Sequence, residues 1–338
     1  MSAAIKRLPV ASSERPSEFS GEPASFIGTS PAILTVMDTV RHVAPSKASV
    51  FITGESGTGK EVCAEMIHGL SSRSGKPFVP INCGAIPRDL IESELFGHLK
   101  GSFTGAICDR DGAAALADGG TLFLDEICEL ELQLQTRLLR FLQTGLIQPV
   151  GAGRQRAVDV RVICATNRNP KIEVAEGRMR NDLFYRLHVI PIDMPPLSAR
   201  GGDVTALAEH FLSLYAAEEG KVFLGLSQET KACFTAYDWP GNVRELQNVI
   251  RRIVVLNAGP QVEVHMLPEE LRATGPNVVP LGQAGNRELW MIERAAIEQA
   301  IGACGGSVPQ AAKRLGVSPS TLYRKREAWL GKSLESCG

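Results

Sequence analysis

A glycine-rich loop between a strand and a helix constrains this chain more than any other feature. The β-branched, apolar run Val50–Thr53 leads into a loop of the form GxxxxGK, and helical sequence follows. In such a loop, glycines let backbone N–H groups approach an anion, and the lysine adds a charge at the outer phosphates. The loop residues are Gly54, Glu55, Ser56, Gly57, Thr58, Gly59 and Lys60. This pattern predicts a nucleotide-binding site.

The residue after this loop departs from the general pattern. Glu61 stands where a serine or threonine normally contacts Mg²⁺, so other residues and water must hold the metal. About 65 residues later, the apolar run 120–124 ends in Asp125 and Glu126. Asp125 is placed to hold Mg²⁺, and Glu126 to polarise the water that attacks the γ-phosphate of ATP. An acidic pair alone is often a solvated turn, but with the loop it predicts hydrolysis.

Alternating patterns predict an α/β domain followed by helical units. Short apolar or β-branched runs alternate with helical patterns between residues 26 and 196, which is typical of a parallel sheet with helices on both faces. The predicted strands are 49–53, 78–82, 121–124, 160–165 and 189–192. Residues 201–271 have apolar residues at helical spacing and no strand run. We therefore expect a small helical unit after the sheet.

Composition excludes several classes of protein. The chain has 338 residues, 44% of them hydrophobic and 22% charged, and no apolar run approaches the roughly 18 to 20 residues of a membrane span. Its eight cysteines are scattered without a CxxC pair, so neither a disulfide framework nor a metal cluster is expected. We expect a cytoplasmic protein with no membrane partner, whose cysteines are reduced packing residues.

The C-terminal region is basic and has the pattern of a helix-turn-helix. Residues 287–338 carry eight Lys or Arg against five Glu, a charge of +3, which leaves −4 for the rest of the chain. Helical patterns at 308–315 and 319–330 flank a short turn, and Ser318 and Pro319 suit the N-cap and first position of the second helix. A basic second helix would enter the DNA major groove. The alternatives are a solvated basic face or a helical dimerisation module.

Together these motifs resemble the sigma-54-dependent transcriptional activators, the bacterial enhancer-binding proteins. The glycine-rich loop matches the family's form, Glu61 included. The most specific match is to the family's GAFTGA insertion, and it comprises Gly101, Ser102, Phe103, Thr104, Gly105 and Ala106. The resemblance implies that this loop contacts the sigma factor, through Phe103 and Thr104. Glycines on both sides of this pair predict a flexible tip that exposes one aromatic ring, although without the resemblance a buried phenylalanine would be the better expectation. The C-terminal motif resembles the family's Fis-type domain. The DNA contacts expected there are Ser320, Thr321, Tyr323, Arg324 and Lys325.

The resemblance implies roles for further residues. Asn82 resembles the switch that hydrogen-bonds the catalytic glutamate, here Glu126. Arg180 and Arg186 occupy the positions of the arginine fingers that act on a neighbouring subunit's ATP. The residues that resemble the nucleotide sensors are Thr166, Asn167 and Arg244. Departures from the family occur at Ser102, Pro149 and Ser198–Ala199. None of these departures removes a nucleotide ligand, so any effect would be on coupling.

The resemblance also implies the fold and the activity. The expected fold is an AAA+ P-loop NTPase with a parallel sheet core and an α-helical lid, followed by a small all-α helix-turn-helix domain. The expected cofactors are ATP and Mg²⁺. The expected partners are sigma-54 RNA polymerase holoenzyme, upstream double-stranded DNA and further copies of the chain in a ring, a hexamer. ATP hydrolysis would remodel the holoenzyme and open the promoter.

Two other functions compete with this interpretation. The first is a DNA-binding regulator with a vestigial ATPase, which the intact nucleotide residues disfavour. The second is an AAA+ unfoldase or DNA-remodelling motor, which the insertion and the helix-turn-helix disfavour. The expected domains are a flexible lead-in, the α/β subdomain, the lid, a linker and the DNA-binding domain, at 1–25, 26–196, 197–272, 273–286 and 287–338. The lead-in is too short to fold a receiver domain, so none is expected.

Overall fold

The structure is a computed structural model of the chain. It describes residues 26–273, 293–294, 297–298, 300–302, 304 and 306–325. The chain divides into two compact units, Met1–Gly275 and Pro276–Gly338. The expected lead-in, nearly all of the expected linker and both ends of the C-terminal domain lie outside the described residues. The domain boundaries therefore stay predictions.

The first unit begins with an α/β domain. In chain order its elements are α1 (Pro31–Val43), β1 (Val50–Thr53), α2 (Lys60–Gly69), β2 (Phe78–Asn82), α3 (Arg88–Phe96), β3 (Gly97–His98), β4 (Arg110–Asp111), α4 (Ala113–Leu116), β5 (Thr121–Asp125), α5 (Leu132–Thr144), β6 (Leu146–Ile147), β7 (Arg156–Ala157), β8 (Arg161–Thr166), α6 (Pro170–Ala175), α7 (Asn181–Leu187) and β9 (Ile190–Asp193). The five predicted strands are β1, β2, β5, β8 and β9, and each lies within one residue of its predicted bounds.

These five strands form a parallel sheet in the order β2-β5-β8-β1-β9. All six residues of β8 are buried, as expected for a central parallel strand covered on both faces. Side chains alternate between two cores, so Phe51 packs on one face of the sheet and Ile52 on the other. The predicted α/β architecture is confirmed.

The strand register brings the predicted site residues to one edge of the sheet. Asn82 is paired with Asp125 across β2 and β5, and Thr53 is paired with Thr166 across β1 and β8. The carboxyl ends of these strands therefore lie side by side, where open α/β sheets bind their ligands.

The lid contains helices α8 (Asp203–Glu218), α9 (Gln228–Ala236), α10 (Asn242–Leu256) and α11 (Glu269–Arg272). It also contains two short strands, β10 (Gly225–Leu226) and β11 (Gln261–Val262), which pair in parallel. The expectation of no strand in this region was therefore wrong. Two residues are too few to show a strand period, and both strands contribute to the lid core through Leu226 and Val262.

The second unit contains a helix, α12 (Val308–Arg314), and residues 319–325 are also helical. Between them, the Ser318 hydroxyl accepts a hydrogen bond from the Thr321 N–H at 3.3 Å. Ser318 is therefore the helix N-cap, as the sequence predicts. Ala311 and Leu322 are buried in the small core that joins the two helices.

The composition predicted no membrane span and reduced cysteines that pack in the core. In the part of the chain that the structure describes, no helix has the length and apolar character that crossing a membrane requires. Most of the described cysteines are buried, but Cys108 is exposed. Cys108 is therefore not the packing residue that was expected.

Candidate active site

The glycine-rich loop over residues 54–60, called the phosphate loop below, connects β1 to α2, and the side chain of its lysine lies over the loop. The Lys60 ammonium donates to the carbonyl oxygens of Gly54 and Glu55 at 2.9 and 3.1 Å. Burial lowers the pKa of Lys60 below its ordinary value, while the carboxylates of Glu126 and Asp125 oppose that shift. The amino end of α2 follows directly, and the free backbone N–H groups of a helix start favour an anion.

The two acids that the sequence predicts to act in hydrolysis lie at the carboxyl end of β5, and the backbone of the second is strained. Glu126 has φ 51°, a left-handed conformation that costs a side-chain-bearing residue roughly 1–2 kcal/mol. Its backbone N–H donates to the Asp125 carboxylate at 3.0 Å, and its own carboxylate accepts from the Asn167 N–H at 3.1 Å. The turn therefore separates the two carboxylates. Asp125 stays at the strand end, and Glu126 swings toward the loop after β8.

Asn82 does not hydrogen-bond to the residue that the family resemblance implies, Glu126. Its side-chain amide donates to the Asp125 carboxylate at 3.2 Å, and its side-chain oxygen accepts from the N–H groups of Gly84 and Ala85, each at 3.0 Å. The expected bond to Glu126 is absent from this structure. The register of β2 and β5 places Asn82 opposite Asp125, while the left-handed turn carries the Glu126 carboxylate away.

The predicted sensors lie at the same sheet edge. Thr166 is fully buried, and its hydroxyl accepts from the Arg168 N–H at 3.1 Å, so it shapes the turn after β8. Asn167 meets Glu126 through its backbone. From the lid, the exposed Arg244 donates to the Ser56 hydroxyl of the phosphate loop at 2.8 Å. Of the three predicted sensors, Asn167 therefore contacts an acid and Arg244 contacts the loop, whereas Thr166 shapes the turn that carries Asn167.

The two predicted arginine fingers lie apart from these residues. Arg180 makes a two-pronged ion pair with Asp182, at 3.0 and 2.7 Å, and Arg186 donates to the Leu142 carbonyl at 2.8 Å. Among the described residues, no hydrogen bond or ion pair joins either arginine to the phosphate loop or to the two acids. A single copy of the chain therefore leaves the site without them.

The insertion forms a closed loop between β3 and β4. The N–H of Gly101 donates to the Ala106 carbonyl at 2.8 Å, and Thr104 is exposed at the tip. Phe103 is half-buried, and its ring packs edge-on against His98 with centroids 5.0 Å apart. The expected exposed aromatic is therefore not what this structure shows. The most exposed apolar side chain beside the insertion is instead Ile107, at 82%.

A second loop, between β6 and β7, supports the insertion. The Leu99 N–H donates to the Val150 carbonyl at 3.0 Å. Gly151 has φ 81°, and a Cβ there would lie 2.8 Å from the Cβ of Ser102. The Ser102 hydroxyl is buried without a hydrogen-bond partner in the described part of the chain. The departure at Ser102 therefore lies at the contact between the two loops, and the departure at Pro149 directly precedes Val150, which accepts the hydrogen bond from Leu99.

Comparisons with known proteins agree with these features. The Sigma-54 interaction domain matches residues 26–193, the AAA+ ATPase lid domain matches 198–281, and the Fis family of bacterial regulatory proteins matches 288–329. Regulatory protein LuxO of Vibrio parahaemolyticus is 57% identical over 317 residues, which cover 91% of this chain and 70% of LuxO. The chain belongs to the sigma-54-dependent activator family.

Two further comparisons extend this result. The transcriptional regulatory protein ZraR of Escherichia coli is 44% identical to this activator over 301 residues, covering 89% of this chain and 68% of ZraR. The crystal structure of NtrX from Brucella abortus in complex with ATP is 33% identical, with a TM-score of 0.67, and the match covers 92% of this chain and 70% of that one. The AAA+ fold predicted from the sequence is confirmed.

Two residues of this activator that contact the phosphate loop escaped the sequence reasoning. Asn242 is fully buried and donates its amide to the Glu55 carboxylate and the Ser56 carbonyl, at 2.9 and 3.1 Å. Arg200, 2% exposed, donates to the Thr58 carbonyl at 2.6 Å. In the sequence, an asparagine after Pro-Gly is typical of a simple turn, and an arginine is typical of a surface. Neither residue therefore stood out in the sequence as a contact of the phosphate loop.

In the Fis-type unit, the predicted DNA contacts differ in their surroundings. Tyr323 and Arg324 are exposed on the helix over 319–325. Lys325 instead makes an ion pair with Glu293. The hydroxyls of Ser320 and Thr321 both hydrogen-bond to the Ser318 hydroxyl, at 2.9 and 2.8 Å. Ser320, Tyr323 and Arg324 are therefore exposed, whereas Thr321 and Lys325 are half-buried.

Proposed function

We propose that this activator uses ATP hydrolysis to remodel sigma-54 RNA polymerase holoenzyme and open promoters, while its Fis-type domain holds it on upstream DNA. The observation that carries this proposal is a structural route from the hydrolytic acids to the insertion. The route begins where Asn82 binds Asp125 and also holds the N–H groups of Gly84 and Ala85.

The route continues through one helix. Residues 84 and 85 lead into α3, and α3 runs without a break into β3, the first strand of the insertion hairpin. Movement of Asn82 with the state of the nucleotide would therefore shift α3 and the base of the hairpin. Because Phe103 packs on His98 of β3, the same movement would release the ring from its half-buried position. Thr104 and Phe103 would then contact the sigma factor together.

The residues at the site fit a nucleotide with its metal. Asp125 supplies carboxylate oxygens, the ligands that Mg²⁺ prefers, and both oxygens retain free lone pairs beyond the bonds from Asn82 and the Glu126 N–H. Bound Mg²⁺ would neutralise charge on the phosphates. Lys60 would release its carbonyl partners to bind phosphate oxygens, and Glu126 would orient the attacking water. Thr166, Asn167 and Arg244 would report the state of the nucleotide.

We also propose that the catalytic unit is a ring, a hexamer. Arg180 and Arg186 lie away from the site in their own subunit, whereas a heterologous contact between copies would present them to a neighbour's ATP. An arginine supplied in this way stabilises the negative charge of the transition state. Hydrolysis would therefore require association.

The two competing functions fit the structure less well. A vestigial ATPase needs no strained glutamate held between two strand ends, as Glu126 is. A general unfoldase or DNA motor gives no role to the Gly101–Ala106 hairpin or to the Fis-type unit.

The proposal is tested by permanganate footprinting of promoter melting with purified protein and sigma-54 holoenzyme. Melting should occur with ATP and Mg²⁺ and not with ADP or a non-hydrolysable ATP analogue. A holoenzyme carrying the primary sigma factor is the control and should not respond. Melting that is equal with the non-hydrolysable analogue would refute the role of hydrolysis.

A further inference from the structure

Gln135 is a fully buried polar side chain on α5. Its amide nitrogen donates to the carbonyls of Leu130 and Arg178, at 2.7 and 2.8 Å, and its oxygen accepts from the backbone N–H of Arg180 at 2.8 Å. Burying an amide is costly unless it is paired, and here each polar atom has a partner. One side chain therefore joins three backbone groups from two segments.

The first segment contains the hydrolytic glutamate. Leu130 ends the short turn that begins at Glu126, and the Glu129 N–H donates to the Glu126 carbonyl at 2.9 Å within it. The second segment is the loop that presents Arg180. Gln135 therefore fixes the distance between the residue that activates water in this subunit and the arginine that this subunit offers to another.

A second clamp holds the same loop. The Glu173 carboxylate, 4% exposed, accepts two hydrogen bonds from Arg178, both at 2.7 Å, and a weaker one from Arg168 at 3.4 Å. Arg168 directly follows Asn167, whose N–H holds the Glu126 carboxylate. The loop over 178–180 is thus tied to both segments that flank the Glu126 side chain.

We infer that Gln135 is a positioning residue for Arg180, and that it couples the active site of one subunit to the arginine that acts on its neighbour's ATP. This inference rests on the proposed action of Arg180 between subunits. A change in the segment after Glu126 displaces the Leu130 carbonyl, and the shared amide passes that displacement to the backbone of Arg180.

The test is a mixture of two defective variants. Gln135→Leu replaces none of the residues of its own nucleotide site and loses the placement of its arginine, so its ATPase rate alone should fall about 100-fold, a typical cost of misplacing a catalytic group by 1 Å. Lys60→Ala cannot use ATP but offers a well-placed arginine. In equimolar mixed rings, half the sites are usable and half of these have a competent neighbour, so the rate should recover to about one quarter of the parental rate.

Two controls separate the possible failures. Gln133→Leu, an exposed neighbour on the same helix, should hydrolyse ATP at the parental rate without mixing. Arg180→Ala mixed with Lys60→Ala should recover like the Gln135 variant, because it removes the same group. Recovery with Arg180→Ala but not with Gln135→Leu would overturn the role of Gln135 and leave the action of Arg180 between subunits standing. Failure of both mixtures would overturn the action of Arg180 between subunits, and the inference with it.

A second variant tests the inference independently, in case Gln135→Leu does not fold. Glu173→Gln keeps the volume of the second clamp, but it removes the charge and replaces one of the two acceptor oxygens with an NH2 group, so one of the two hydrogen bonds from Arg178 is lost. Its ATPase rate should fall while its affinity for a fluorescent ATP analogue stays parental, and mixing with Lys60→Ala should restore hydrolysis. If Glu173→Gln binds ATP normally and mixing does not restore its activity, Gln135 and Glu173 do not position the loop over 178–180. The inference then fails.

Discussion

Asn242 of the lid donates its side-chain amide to the Glu55 carboxylate of the phosphate loop at 2.9 Å, although 187 positions separate the two residues in the sequence. The oxygen of the same amide accepts from the Leu197 N–H at 2.7 Å, in the segment that connects the sheet domain to the lid. One buried asparagine therefore holds together the phosphate loop, the connection and the start of α10. The position of the lid and the shape of the phosphate loop are consequently linked.

We predict that Asn242→Ala weakens ATP binding and destabilises the AAA+ unit by about 2–4 kcal/mol, since buried groups lose their partners and φ 51° is unfavourable for alanine. Asn242→Gly tolerates that backbone and isolates the loss of the side chain. The exposed Asn248→Ala on the same helix is the matched control and should behave as the parent. Urea unfolding and titration with a fluorescent ATP analogue measure both effects. Parental ATP affinity in Asn242→Gly would show that the amide does not shape the loop.

Glu126→Gln should bind ATP with parental affinity and hydrolyse it about 100-fold or more slowly, because a carboxamide does not accept the proton of the attacking water. Lys60→Ala is the contrasting variant and should lose ATP binding, since the loop loses its cation. Both should retain DNA binding, which we assign to the separate C-terminal unit. If the two variants lost ATP affinity equally, Glu126 would act in ATP binding and not specifically in hydrolysis.

Much of this fold was predictable because its signals are local. The five sheet strands are short, buried, β-branched runs bounded by turn residues, and the phosphate loop follows the first of them. The two-residue strands around Leu226 and Val262 are too short to show a period. They form because each segment passes beside the other in the lid core, and a single sequence does not show which segments meet.

The sequence predicts which residues belong to the candidate site but not which of them contact one another. The motifs identified Asn82, Asp125 and Glu126, yet strand register and a left-handed turn decide which of them pair. Asn242 acts through a partner far away in the sequence, so no local pattern marks it. Phe103 is half-buried because of where His98 lies in the folded hairpin, which composition does not specify.

We predict that Gly151→Ala uncouples hydrolysis from promoter opening. A methyl group there meets the Ser102 side chain at 2.8 Å, and φ 81° costs alanine roughly 1–2 kcal/mol, so the second loop would push the insertion away. Gly153→Ala in the same loop enters open space and serves as the control. Gly151→Ala should open promoters several-fold more slowly while hydrolysing ATP at a rate near that of the parent. If both variants opened promoters at the same rate relative to their ATP hydrolysis, the contact between the loops would have no role in this coupling.

In the Fis-type unit, Arg324→Ala should reduce the salt dependence of DNA binding by about one phosphate contact. Lys325→Ala should have a smaller effect, because the Glu293 carboxylate already neutralises much of the Lys325 charge. Fluorescence anisotropy at several salt concentrations, with a duplex that the protein itself selects from random DNA, compares the two slopes. A larger change of slope for Lys325→Ala would show that the ion pair opens on DNA.

We propose that Thr104 and Phe103 transmit the energy of ATP hydrolysis to the sigma factor. Thr104 is exposed at the tip of the insertion and is not among the residues proposed to bind the nucleotide, so Thr104→Ala should retain ATP binding and most of the ATPase activity. Thr104→Ser, which keeps the hydroxyl, is the matched control and should retain more function than Thr104→Ala.

The most direct measurement is transcription from a sigma-54 promoter in a purified system, together with binding to sigma-54 in the presence of an ATP transition-state analogue. We predict that Thr104→Ala hydrolyses ATP but neither binds sigma-54 under these conditions nor opens the promoter, whereas the parental protein does both. Full promoter opening by Thr104→Ala, or no response of any sigma-54 promoter to the parental protein, would contradict the account.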